Sequence, residues 1–266
     1  MMLLFGLLGV LVGAFLNWVA DYALPSRRAR LAPSCPYCDM PRPFWSWISL
    51  LAFLRWQPNC PACAAPISFR HPLLEMGMAL LFAFLWAWFG VSPALLVYST
   101  YSSVLIVLAI VDAEHRRLPR SLVYTGMAFA LAGSVAFPAL LPWHAALLGG
   151  MVGFALLFLI YLGGRLFSRA VRNLDNGATG VAAFGFGDVL LGALVGLMLG
   201  APRVVVAILL AVLLAGAGAV IYLLARLVSR RPYSRFTAIP FAPFLVLASL
   251  IALFFSAVAT HWLLPA

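Results

Sequence analysis

Long uncharged runs separated by short polar segments dominate this chain, and they predict helices more clearly than anything else in it. Met2 to Ala20 carries no charge and predicts a first helix. Met76 to Val111 stays uncharged for 36 residues, too many for one crossing. A bilayer core of about 30 Å takes roughly 20 helical residues, each rising about 1.5 Å. Gly90-Val91-Ser92-Pro93 divides this run into a hairpin, because proline cannot continue a helix interior. Ser121 to Gly164 is divided likewise at Pro138 and Pro142. A shorter run from Phe186 to Leu199 ends at Gly200-Ala201-Pro202, and Val204–Ala225 and Pro240–Trp262 follow. The pattern predicts about eight helices.

Composition turns helices into membrane helices. Of 266 residues, 65% are hydrophobic and 9% charged, against roughly 45–50% and about 25% in soluble domains. So few charges cannot cover a soluble surface. The expected fold is an all-α polytopic integral membrane protein of about eight transmembrane helices, with residues 21–70 as a polar loop. A cleaved signal peptide competes for the first helix, but the chain opens directly on apolar residues without a basic segment.

The 17 basic residues are all arginines, giving a net charge of +10. Nucleic acid is excluded as a partner because the arginines form no basic stripe interleaved with aromatics on a polar domain. They cluster in residues 21–70, 116–120, 165–172 and 226–235, with Arg203 alone. Each cluster is two helices from the next, so all four fall on one face. The positive-inside rule makes that face cytoplasmic and puts both termini outside the inner membrane. Three segments are expected: a first helix over 1–20, a cytoplasmic loop over 21–70, and a seven-helix membrane domain over 71–266.

An acid at the mouth of an apolar span is costly and is by default a candidate for function. Asp112 ends the third helix and Asp188 opens the sixth. Two helices separate them, which predicts the same membrane level for both. Two facing carboxylates cannot both ionise easily, so the pair shares a proton and titrates as a unit. Such a pair supports amide hydrolysis: one aspartate draws a proton from water, and the other hydrogen-bonds the carbonyl oxygen. Gly185 and Gly187, lacking Cβ, leave room for a substrate backbone. The plainer alternatives are that each acid is a helix cap or an interfacial charge. Glu114 and His115 read as solvated loop residues, and His71, His144 and His261 as interfacial.

All four cysteines lie in the loop, as Cys35-Pro36-Tyr37-Cys38 and Cys60-Pro61-Ala62-Cys63. Two such pairs match a closed, four-thiolate structural zinc site. Disulfides compete, but a cytoplasmic loop keeps its thiols reduced.

Together these features resemble the type IV prepilin peptidase family, membrane aspartic proteases of the GxGD type. The resemblance runs in order through Gly13-Ala14-Phe15-Leu16-Asn17, the two cysteine pairs, Ala65-Pro66-Ile67-Ser68 and His71-Pro72-Leu73-Leu74-Glu75. It continues through the Asp112 motif ending in Leu118-Pro119, then Gly185-Phe186-Gly187-Asp188, then Ile239-Pro240-Phe241-Ala242-Pro243-Phe244. It implies removal of the short basic leader from prepilins or pseudopilins at the cytoplasmic boundary. It also implies methylation of the new N-terminal amine with S-adenosyl-methionine, an activity associated with the cysteine loop. By motif position, Asp112 and Asp188 are the catalytic pair, and Cys35, Cys38, Cys60 and Cys63 the zinc ligands. Glu75 matches an acid of the methyltransferase half on the cofactor side, with an interfacial carboxylate as the alternative. The chain departs from the family at Leu190, where lysine is frequent, at Arg120, and at Ala242, where the pattern has glycine.

Two other classes are open on the residues alone. A transporter would carry protons on the two acids, but transport favours midplane acids on broken helices or repeats. A non-enzymatic zinc scaffold predicts that Asp188→Ala is harmless.

Overall fold

The computed structural model describes residues 1–23, 34–35, 37–43, 46–55, 59–174, 185–229 and 240–263. Pro36 and Ile239 of the motifs above, and the arginines at 27, 28, 30, 230, 231 and 235, lie outside that set. Among the described residues the chain is helical, apart from two isolated bridges. The helices are α1 (Met2–Tyr22), α2 (Ser49–Leu54), α3 (Arg70–Phe89), α4 (Pro93–His115), α5 (Arg120–Ala136), α6 (Trp143–Leu174), α7 (Phe186–Leu199), α8 (Ala201–Val228) and α9 (Ala242–Leu263). Eight of these correspond to the eight apolar runs, and the breakers fall where expected. Gly90 ends α3 with φ 55°, Pro119 precedes α5 in an extended conformation, and Gly200 separates α7 from α8 with φ 81°. Helices α1, α3, α4, α6 and α8 are each long and apolar enough to cross a membrane, while α7 and α9 are apolar but shorter over their described parts. The sixth helix of the sequence is therefore present but short. The small α2 was not foreseen.

The chain divides into two compact units, Met1–Val107 and Leu108–Ala266, with the boundary inside α4. In the first unit α1 packs along α3. One face of α1, with Leu3, Leu4, Leu7, Leu11 and Phe15, is exposed, as suits contact with lipid. The opposite face carries Gly9 and Gly13. A Cβ at either would stand 2.8 Å from a Cα of α3, Ala79 for Gly9 and Glu75 for Gly13. Small residues four apart let the two backbones meet, the usual solution where lipid offers no hydrophobic drive.

In the second unit α7 is the central element, packed by α5, α6, α8 and α9. Nearly every residue from Val189 to Leu199 is buried. A helix of about 21 Å is shorter than a bilayer core, but one enclosed by other helices need not span lipid by itself. Its closest partner is α6, through a stripe of glycines. A Cβ at Gly196 would fall on the Gly149 carbonyl oxygen, one at Gly153 on that of Gly192, and one at Gly150 would lie 2.9 Å from Leu197.

Candidate functional site

The two cysteine pairs form the same knuckle twice, 25 positions apart. Cys35 N–H donates to the Met40 carbonyl at 2.9 Å, and Cys60 N–H to that of Ala65 at 2.8 Å. Asp39 N–H donates to Cys35 O at 3.0 Å, and Ala64 N–H to Cys60 O at 2.9 Å. Asp39 and Ala64, one residue past the second cysteine of each pair, both take left-handed φ values, 58° and 56°. Bridges Ser34–Pro41 and Asn59–Pro66 close the two turns. The four sulfurs lie within 4.8 Å of one another, and none is in a disulfide. Sγ of Cys35 is 3.6 Å from that of Cys63, and Sγ of Cys38 is 3.7 Å from that of Cys60. A tetrahedron with metal–sulfur bonds of about 2.3 Å has sulfurs roughly 3.8 Å apart, so the donor set fits a tetrahedral metal. Its electrostatics point the same way. The Cys63 and Ala62 amides draw the Cys60 thiol down to about 6. The Ala65 amide favours a Cys63 thiolate, but desolvation and three neighbouring sulfurs push that thiol up to about 12. A cation at the centre would offset the repulsion among four thiolates.

Glu75 is fully buried in α3. Its Oε1 accepts the Ser49 amide at 2.8 Å and its Oε2 the Leu50 amide at 2.7 Å. One carboxylate thus caps the N-terminus of α2, which has no side-chain cap of its own. Glu75→Ala leaves the buried Ser49 amide and the half-buried Leu50 amide unpaired, at up to about 1–3 kcal/mol each. We expect a fall in thermal unfolding temperature of several degrees, with the chain still inserted in the membrane. An unchanged unfolding temperature would show the cap to be dispensable.

His71 is also buried, at the start of α3. Its Nδ1 is 3.2 Å from the Ser68 carbonyl and its Nε2 3.3 Å from Asp21, which holds Arg70 at 2.6 Å. Asn17 donates to the His71 carbonyl at 3.1 Å. These contacts tie the end of α1 to the start of α3.

In the second unit Asp112 lies one turn before the end of α4 and is 6% exposed. Arg116 N–H closes the helix on the Asp112 carbonyl at 2.7 Å, with Arg116 at φ 52°. The Asp112 carboxyl feels the Arg116 charge from the end of its own helix. Its Oδ2 is buried without a hydrogen-bond partner among the described residues. Asp188 stands in the first turn of α7 and is partly exposed. Its Oδ2 accepts the Gly185 N–H at 3.3 Å, so it also caps the start of its own helix. Asp112 and Asp188 come within electrostatic reach of one another. Asp188 lies at the positive, N-terminal end of α7, whereas Asp112 lies near the negative, C-terminal end of α4.

The two glycines differ. The space beside Gly187 is occupied by Leu118, whose Cβ is 3.2 Å from where a Cβ would stand. The loop after Asp112 therefore rests on the Gly-Phe-Gly-Asp turn. Gly185 is exposed and faces Asp188 Oδ2. Glu114 and His115 are exposed and form a weak 3.9 Å pair. The sequence reading missed the α6–α7 glycine stripe, although the spacing of Gly149 with Gly153 and of Gly192 with Gly196 was there to read.

Comparison with known proteins follows the same two halves. Residues 99–221 match the type IV leader peptidase family, and residues 7–89 match the bacterial peptidase A24 N-terminal domain. A prepilin leader peptidase/N-methyltransferase of Bacillus subtilis is 30% identical over 92% of this chain and 90% of its own length. One of Pseudomonas putida is 31% identical over 92% of this chain and 87% of its own. The chain belongs to the type IV leader peptidase family. One further relative of that name, from Stutzerimonas stutzeri, is 30% identical over 92% of this chain and 88% of its own. No solved structure matches. In this leader peptidase family member both matched regions contain motifs read above: the cysteine pairs and Glu75 in the first, both aspartates in the second.

Proposed function

We propose that this protein is an aspartic endopeptidase of the inner membrane that removes the short basic leader from type IV prepilins and pseudopilins, and that it methylates the amine so exposed. The observation that carries the peptidase reading is the pairing of Asp112 and Asp188, two acids 76 positions apart at the ends of apolar helices, with the Asp112 charge acting on Asp188.

The chemistry follows from that pairing. A substrate carbonyl enters beside the exposed Gly185 turn. One aspartate, ionised, takes a proton from water, and the resulting hydroxide attacks the carbonyl carbon. The other, protonated, hydrogen-bonds the developing oxyanion, and the leaving amine takes up a proton as the C–N bond breaks. The proton accounting is neutral over a turnover, so no metal or covalent intermediate is required. The unpartnered Asp112 Oδ2 is a suitable acceptor for the water.

Eight crossings, with the arginine-rich loops and the dyad on the cytoplasmic side and both termini outside, match this substrate. A prepilin is an apolar helix with a basic leader, so its scissile bond meets the membrane at the same face. Cys35, Cys38, Cys60 and Cys63 would hold one zinc ion, which supplies a rigid cross-link for a loop with little core of its own. S-adenosyl-methionine would supply the methyl group. The buried Glu75 has both oxygens on amides, so we assign its part in methyl transfer to fixing α2 rather than to touching the methyl donor.

The test is co-expression with a prepilin, followed by mass measurement of its N-terminus. The reading expects loss of the leader and a gain of one methyl group with the wild type. An intact leader would overturn the peptidase assignment, and an unmethylated mature N-terminus the second activity. Metal analysis should find about one zinc per chain, lost in Cys60→Ser and on acidification as thiolates take up protons. Freshly purified protein without metal would remove the zinc assignment.

A further inference from the structure

We infer that Tyr161, on α6, is a positioning residue for the reaction: its ring holds Phe186 of the Gly185-Phe186-Gly187-Asp188 turn and so fixes the aim of the Asp188 carboxyl. This rests on the reading that Asp188 is catalytic. Gly149, Gly153, Leu157, Tyr161 and Arg165 recur every four residues along α6, so they fall on one face of that helix. Their side chains grow in size along the row. At Gly149 and Gly153 the backbones of α6 and α7 meet, with Gly196 and Gly192 opposite. At Leu157 the contact passes to a side chain, whose Cγ lies 2.9 Å from where a Cβ on Gly192 would stand. At Tyr161 it becomes ring on ring. The Tyr161 and Phe186 centroids are 5.9 Å apart with their planes at 69°, an edge-to-face pair. Glycines thus join the two helices at one end, and at the other a tyrosine reaches across to the first residue of α7.

The tyrosine is itself held. Arg165, one turn further along α6, donates from Nη1 to the Tyr161 hydroxyl at 2.9 Å, and its guanidinium carbon lies 5.5 Å from the ring centroid. Phe158 lies 6.1 Å from Tyr161 and stacks on Phe154 at 5.6 Å. The turn needs such a hold. Glycine on either side of Phe186 leaves its backbone wide freedom, and only Phe186 and Asp188 offer side chains by which it can be pinned. Leu118 fills the space beside Gly187, and Asp188 Oδ2 takes the Gly185 amide at 3.3 Å. Phe186 is 40% exposed, so burial alone does not set its place. The Tyr161 ring supplies what burial does not, and it acts on Asp188 through Phe186 and the turn.

The experiment compares Tyr161→Ala, Tyr161→Phe and Phe154→Ala in the purified full chain, with prepilin as substrate. A small misplacement of a reacting group is costly, so kcat for Tyr161→Ala is expected to fall by ~10- to 100-fold. KM should stay within about threefold, because Tyr161 acts through the turn rather than on bound substrate. Tyr161→Phe keeps the ring and should keep most of the wild-type kcat. Phe154→Ala removes a ring from the same row, about two turns earlier, and should match wild type. The double variant Tyr161→Ala/Phe186→Ala should be no slower than Phe186→Ala, since both changes remove one contact. Wild-type kcat in Tyr161→Ala, an equal loss in Phe154→Ala, or a double variant slowed by the product of the single effects would overturn the inference.

Fluorine nuclear magnetic resonance reads the contact without turnover. A single 4-fluorophenylalanine in place of Phe186 should give a signal that shifts in Tyr161→Ala and stays in Phe154→Ala. An unmoved signal in Tyr161→Ala would refute the contact. Full activity of Asp188→Asn would instead reject the catalytic pair, and the positioning role with it, while the fluorine shift would still show the two rings together.

Discussion

Asp112→Asn and Asp188→Asn are each expected to lower kcat for leader removal by at least about 10³-fold, while the protein stays folded and zinc-loaded. General acid–base groups contribute about 10²–10⁴-fold each, and here one proton serves two groups, so losing either disables both. Asparagine is nearly isosteric, and at position 188 it retains an oxygen for the Gly185 amide. The fold therefore keeps its contacts, while the side chain no longer takes up or releases a proton near neutral pH. The loss corresponds to about 4 kcal/mol of barrier. Kinetics on purified variants, with unfolding temperature as the control, make this check. A variant that retains a tenth of wild-type kcat would contradict it.

The second large effect concerns stability. Gly196→Leu is expected to destroy the packing of α7 and, with it, the presentation of Asp188. The new Cβ would fall on the Gly149 carbonyl oxygen and stand 2.9 Å from the Gly150 Cα. Both obstacles are backbone, so neither moves by a rotamer change. Over-packing a tight core costs roughly 1–3 kcal/mol even where side chains yield, and here two helices must part. Gly163→Leu, on the exposed part of α6 with nothing within 4 Å of its Cβ, is the matched control. The first variant should show a sharply lower unfolding temperature and little activity, and the second neither. Equal behaviour of the two would mean that the glycine stripe does not hold α6 to α7.

Much of this arrangement is visible in the residues, for reasons that differ by element. Helix breaks were legible because Gly90, Pro93, Pro138 and Pro142 interrupt runs that are otherwise uniform. The knuckles were legible because metal chemistry demands cysteines at a set spacing, and the backbone repeats with that spacing down to Asp39 and Ala64. The two aspartates stood out because an acid beside an apolar run is expensive. Other features left little trace. Helix α2 has six residues, too few for periodicity to register, so Glu75 could not be matched to the amides it caps. His71 reads as interfacial in sequence because its partners, Asp21 and the Ser68 carbonyl, come from another helix and from the backbone. The shortness of α7 is legible in its apolar run, but its enclosure by α5, α6, α8 and α9 is not.

The account stands on Asp112 and Asp188 acting as one unit, and a double-mutant cycle in leader removal tests that most directly. If the two share a proton, the double Asn variant is no slower than either single one, because the first substitution has already removed what the second would take away. A double variant slower than the singles by the product of their separate effects would mean two independent groups, and would contradict the shared dyad.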